Sequence, residues 1–140
     1  MKLDVLALTP GTAGGAPLRL AEPLSFWGGF DAETGRVIDV RHPQHGEVLS
    51  GRVLLMPAGR GSSSGSALLA EALRLGTAPA AIVLGRVDEI IALGAVVGEE
   101  LYGRLCPVVS VEGELPEVDG AAKATVRSDP DAGRGELELA

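Results

Sequence analysis

Gly59-Arg60-Gly61-Ser62-Ser63-Ser64-Gly65-Ser66 lies between an apolar run, Val53-Leu54-Leu55-Met56-Pro57, and the segment Ala67-Leu68-Leu69-Ala70-Glu71-Ala72-Leu73-Arg74-Leu75. The first run reads as a buried strand. The second reads as a helix, with Leu68, Leu69, Ala72, Leu73 and Leu75 on one broad face at a helical period. Gly76 suits a left-handed cap, and Pro79 follows shortly. A strand that ends in a glycine- and serine-rich loop and feeds a helix makes an anion site. The first helical turn offers unpaired N–H groups, and the helix dipole favours negative charge there. Glycines let the main chain approach a ligand, and Arg60 adds a fork of donors for a carboxylate or phosphate. Ser62, Ser63 and Ser64 supply hydroxyls, one of them a candidate base.

Outward from this loop the chain reads as one mixed α/β domain over residues 1–140. Residues 1–15 read as a strand or extended arm that turns at Thr12-Ala13-Gly14-Gly15. Pro17 to Ala21, Leu24 to Phe30 and Arg36 to Val40 read as short strands, with Asp31-Ala32-Glu33-Thr34-Gly35 a turn between the last two. His42-Pro43-Gln44-His45-Gly46 is a loop. Ala80 to Leu84 and Pro107 to Val111 are continuously apolar, as in a sheet covered on both faces. Asp88 to Leu93 reads as a short helix, and Ala95 to Val97 is ambiguous. Ala124-Thr125-Val126 and Glu136-Leu137-Glu138-Leu139 read as a hairpin turning through Asp129-Pro130-Asp131-Ala132-Gly133. The expected architecture is short strands closed or stacked into a barrel-like layer, with one main helix after the serine loop.

Composition sets limits on function. The chain of 140 residues is 46% apolar but only 3% aromatic, so its core is built from Val, Leu, Ile and Ala. A net charge of −7 with no cluster of Lys and Arg argues against a nucleic-acid partner. The single cysteine, Cys106, allows no disulfide and no thiolate metal site within the chain; it reads as a buried small hydrophobe. The first residues lack the long apolar core of a signal peptide, and no run is long enough to span a bilayer. The expectation is a cytoplasmic protein without a membrane partner.

Other readings of these segments stand beside the anion site. The serine loop is off by one residue from the dinucleotide fingerprint, and it lacks the Lys-Ser/Thr ending of a phosphate loop. A polar loop with a serine helix cap is the plain alternative. Ser63 sits at the centre of Gly61-x-Ser63-x-Gly65, as in a hydrolase elbow, but His42 and His45 lie upstream, in the wrong order for that triad. His42 and His45 could in principle bind a metal, yet a solvated or interface loop is favoured. Trp27, beside Phe26, Gly28, Gly29 and Phe30, is either a core corner or a surface kept for a partner.

Taken together, Leu24-Ser25-Phe26-Trp27-Gly28-Gly29-Phe30-Asp31, His42-Pro43, His45-Gly46, Gly51-Arg52-Val53-Leu54, Gly59-Arg60-Gly61-Ser62-Ser63 and Ala78-Pro79-Ala80-Ala81 resemble the small subunit, or swivel domain, of aconitase X. The likeness runs from about residue 10 to residue 111. It implies a swivelling β/β/α domain and a dehydratase active only as a heterodimer with a larger subunit. It also implies an iron–sulfur cluster on that subunit and no cofactor on this chain. By this resemblance Ser62, directly after Gly-Arg-Gly, is the catalytic base. Arg60, Gly61, Ser63 and Ser64 bind the substrate. True aconitases carry an arginine where this chain has Ser64, which fits the X branch.

The family includes dehydratases of cis-3-hydroxy-L-proline and of phosphomevalonate. The resemblance leans toward the first, which would yield pyrroline-2-carboxylate. Whether His42, His45 or Asp31 faces the site stays open. A non-catalytic anion-binding module is the competing reading. The chemistry agrees with half an active site: a serine acts as a base only where N–H donors and a cation stabilise its alkoxide. Loss of a hydroxyl also needs a Lewis acid, for which this chain offers no thiolate set.

Overall fold

The computed structural model of the chain describes all 140 residues. In chain order the elements are strands β1 (Lys2–Asp4), β2 (Leu6–Ala7), β3 (Gly11–Gly15) and β4 (Pro17–Arg19), a kinked turn α1 (Phe26–Gly29), and strands β5 (Phe30–Asp31), β6 (Arg36–Val37) and β7 (Val53–Met56). Helix α2 (Gly65–Leu75), strand β8 (Ala81–Leu84), helix α3 (Glu89–Tyr102), strand β9 (Val108–Ser110) and the hairpin β10 (Ala124–Asp129) and β11 (Arg134–Leu139) complete the chain.

All residues of β7, β8 and β9 are buried, and their alternation decides the layers. Leu54, Met56, Ile82, Leu84 and Val108 join Leu69, Leu73, Ile91 and Ala95 of the helices in one core. Val53, Leu55, Ala81, Val83 and Val109 join Ala124, Val126, Leu137 and Leu139 in a second core. A five-stranded sheet, β2-β9-β8-β7-β4, is therefore covered by helices on one face and by the four-stranded antiparallel sheet β1-β11-β10-β3 on the other. In the central sheet β4, β7, β8 and β9 run parallel, and β2 closes one edge antiparallel. Apart from the separate β5-β6 pair, the strands are stacked in two open sheets, so the β/β/α layering holds while closure into a barrel-like layer is not what the pairing forms.

Several local expectations change. Thr12 to Gly15 is strand rather than turn, paired in register from Gly11↔Ser128 to Gly15↔Ala124. Gly15 is needed for packing, because a Cβ there would collide with the Gly51 carbonyl. Leu24 to Phe30 is mostly not strand: Gly28 at φ 81 turns the chain, and only Phe30 and Asp31 pair with β6. The strand expected over Arg36 to Val40 stops at Val37. Helix α3 is far longer than residues 88–93, and Ala95 to Val97 lies inside it. Its Gly94 and Gly98 are contacts rather than breaks, since a Cβ at Gly98 would strike Leu73 of α2. Leu75 is 40% exposed, off the buried face of α2. Gly76 does cap α2 in the left-handed region at φ 78. No helix is long and apolar enough to cross a membrane.

Candidate functional site

The serine loop leaves the C-terminal end of β7 and enters α2, so its position is fixed by the buried sheet and by the helix beneath it. Gly61 makes the turn in the left-handed region, at φ 94. Ser62 Oγ accepts the Ser64 N–H at 3.0 Å. The Gly65 and Ser66 amides close short turns onto the Ser62 and Ser63 carbonyls at 3.0 and 3.4 Å. The amides of Ser62 and Ser63 are among the loop N–H groups that have no protein partner, ahead of the first helical turn. Successive free N–H groups beside a left-handed glycine form an anion-binding concavity.

Ser62 is half-buried; Arg60, Ser63 and Ser64 are exposed. The Arg60 guanidinium lies 3.9 Å from the Glu22 carboxylate, with both side chains about half exposed at 52% and 51%. Such a pair is weak and leaves the guanidinium available to another carboxylate. The five sequence-derived site residues, consecutive in the chain, lie in the one loop between β7 and α2. The structure adds two neighbours that the loop sequence did not reveal. Ser25 lies under Gly61, where a Cβ would stand 2.8 Å from its Oγ, and that hydroxyl donates to the Trp27 carbonyl at 2.8 Å. Asp88 caps α3, its Oδ1 accepting Ile90 and Ile91 N–H at 2.9 and 3.1 Å, and its carboxylate fills the place of a Cβ on Gly59. The only signal for Asp88 was its place before a helical run, an N-cap position.

Beneath the loop, Leu24, Phe26, Gly61, Ser62, Asp88 and Ile91 help to line a cavity of about 20 Å³. That is room for one water and not for a carboxylic acid substrate.

The other candidates fall away from the site or change role. His42 is 4% exposed and not solvated: Nδ1 accepts the Gln44 N–H at 3.0 Å and Nε2 lies 3.0 Å from the Glu22 carbonyl. His45 is exposed. Asp31 is occupied by its own turn, accepting from the Glu33 amide at 3.1 Å and the Thr34 hydroxyl at 2.8 Å. Phe26 and Phe30 are core, each 2% exposed and stacked edge to face at 5.2 Å, whereas Trp27 is 57% exposed. Cys106 is 2% exposed, and burial pushes its thiol up to about 12. It is the one thiol of the chain, where a cluster needs several, and no three His, Cys, Asp or Glu side chains come together as a metal site. The residues of this chain do not fit an iron–sulfur cluster.

Comparison with known proteins agrees with this geometry. Residues 2–137 match the family model of the aconitase X swivel domain. A cis-3-hydroxy-L-proline dehydratase from Pseudomonas aeruginosa is 48% identical over 111 residues, 79% of this chain and 19% of that protein. The chain thus spans about a fifth of the length of that relative. A phosphomevalonate dehydratase small subunit from Methanothermobacter thermautotrophicus is 40% identical over 126 residues, 84% of this chain and 96% of that one. The crystal structure of Thermococcus kodakaraensis aconitase X in its holo-form superposes with a TM-score of 0.80 at 32% identity, covering 100% of this chain and 98% of the matched one. The mixed α/β fold, the stacked layers and the near end-to-end match say the same thing: the chain belongs to the aconitase X swivel-domain family.

Proposed function

We propose that this chain is the small subunit of an aconitase X-type dehydratase, and that it presents Ser62 as the base to a substrate held between it and a larger, cluster-bearing subunit. The observation that carries the reading is the Ser64 N–H donated to Ser62 Oγ at 3.0 Å, at the N-terminal end of α2. A donor aimed at the hydroxyl stabilises its alkoxide, the form able to take a proton. In this reading the Ser62 and Ser63 amides and the Arg60 guanidinium hold the substrate carboxylate. Ser62 Oγ then removes the proton alpha to that carboxylate. Departure of the hydroxyl falls to the larger subunit, since this chain has no group for it.

For the substrate we propose cis-3-hydroxy-L-proline, dehydrated to an enamine that tautomerises to pyrroline-2-carboxylate. A dehydratase of that name is 48% identical over 111 residues, a longer stretch than the 79 residues matched at the same identity by a phosphomevalonate dehydratase small subunit. Phosphomevalonate is the second reading, favoured by a different observation: the 40% identical relative is itself a small subunit, and the match covers 96% of it. The test is to reconstitute the chain with a larger aconitase-like partner encoded beside it and assay both compounds. Turnover of the hydroxyproline supports the first reading. Turnover of phosphomevalonate alone replaces it with the second. Absence of any such partner, with a lone chain that binds phosphate, would favour an anion-binding module.

A further inference from the structure

His42 is a buried titratable side chain that the proposed chemistry does not use, and its contacts lead to the serine loop. Nδ1 accepts an N–H from Gln44, so it carries no proton, and the ring proton of the neutral imidazole sits on Nε2. That Nε2–H donates to the Glu22 carbonyl at 3.0 Å. Beside it, Gln44 Oε1 accepts the Ala21 N–H at 3.1 Å. Two bonds from the 42–44 loop thus hold residues 21 and 22. The same segment continues along the serine loop. Glu22 faces Arg60, Leu24 bridges Gly59, and Ser25 occupies the space under Gly61.

We propose that His42 is a positioning residue: in its neutral Nε2–H form it clamps the Ala21–Ser25 segment, which is the wall that fixes Gly59–Gly61 and through them Ser62. The proposal rests on the reading of the serine loop as the anion and base site. A displacement of that wall by about 1 Å misaligns both the guanidinium and the base, an error that costs on the order of tenfold to a hundredfold in turnover.

The two contacts separate by substitution. An asparagine retains an acceptor in the place of Nδ1 and has no donor that reaches Glu22. A glutamine places its amide N–H where Nε2 was and gives up the acceptor. In the complex of this chain with its larger subunit, His42→Asn lowers kcat/KM at least about tenfold, and His42→Gln recovers most of it. In the isotope-labelled chain, the ring of His42 shows the Nε2–H tautomer. His42→Asn moves the amide signals of Gly59–Ser62 and speeds their hydrogen exchange, while α3 stays unchanged. A purely structural His42 gives another pattern, in which both variants lower Tm alike and leave the loop signals in place. That result, or an Nδ1–H tautomer, overturns the proposal. Ser62→Ala is the separate control. Full turnover in it removes the serine-base reading, and the loop signals still decide whether His42 positions the loop.

Discussion

Gly61 turns directly over Ser25: at φ 94 it holds the left-handed region, and a Cβ on it would stand 2.8 Å from the Ser25 hydroxyl. The two segments that meet here, 24–26 and 59–62, follow β4 and β7, which lie side by side in the central sheet. Their contact is what gives the loop one conformation.

Gly61→Ala introduces both backbone strain and a steric conflict. We expect a stability loss of about 1–2 kcal/mol, the cost of a left-handed non-glycine residue. Activity of the reconstituted enzyme should fall by more than that stability loss explains, because the turn sets Ser62. Adding Ser25→Ala relieves the conflict but not the strain. The double variant should regain part of the activity and little of the Tm. Equal Tm and kcat/KM for Gly61→Ala and the native chain would show that the turn tolerates a side chain.

The three serines should differ in order. Ser62→Ala loses one exposed-side turn interaction, worth at most ~1 kcal/mol, and should lower kcat by a factor on the order of 10² or more. Ser63→Ala should act more weakly and mainly on KM, and Ser64→Ala more weakly still, since its N–H rather than its hydroxyl meets Ser62. Arg60→Lys should raise KM, because an ammonium cannot reproduce a planar fork. Steady-state kinetics on the four variants checks the order. A Ser63→Ala enzyme that is dead beside an active Ser62→Ala enzyme would shift the base by one residue.

Trp27 is the exposed aromatic next to the loop, with Phe26 and Phe30 locked in the core. A partner surface through this segment should therefore depend on Trp27 and not on the two phenylalanines. Trp27→Ala should weaken association with the larger subunit about tenfold or more, as for a truncated aromatic anchor, with Tm unchanged. Phe30→Ala should instead cost about 3–5 kcal/mol of stability as a core truncation. Sedimentation or co-purification, run beside thermal melts, separates the two effects.

Cys106 offers a clean pH prediction. Burial raises its thiol to about 12, so the unfolded chain loses the proton first as pH climbs. The contribution to stability is whole below the ordinary thiol range and falls as pH rises from there toward about 12, at ~1.4 kcal/mol per unit. Below that window, alkylation at neutral pH should be slow and should track transient opening of the fold. Urea melts between pH 8 and 11 for the native chain and Cys106→Ala check the slope, which the variant should lack.

Much of the fold was legible because its signals are local. The apolar runs at 53–56, 81–84 and 108–110, the leucine face of α2, the Gly76 cap and the 124–139 hairpin are each written within a few residues. Where the reading missed, glycine was usually the reason. Gly14 and Gly15 suggest a turn, and the helix expected from Asp88 ends at Leu93, just before Gly94. In the folded chain Gly15 packs against the Gly51 carbonyl, Gly94 against Ser66 and Gly98 against Leu73, partners that no local pattern announces.

The candidate site divides in the same way. The order Gly59-Arg60-Gly61-Ser62 after an apolar run and before a helix is a property of the chain itself, because a strand, a tight turn and a helix start each depend on neighbouring residues. The sequence therefore determined that residues 59–64 form the loop between a buried strand and a helix, with Ser62 directly after the Gly-Arg-Gly turn. Only tertiary structure decided that Ser25 and Asp88 pack against that loop, that His42 is buried with both ring nitrogens engaged, and that Phe26 and Phe30 belong to the core while Trp27 faces outward. Those outcomes depend on contacts between residues tens of positions apart, set by how two sheets and two helices exclude water together, and a linear pattern does not carry that information.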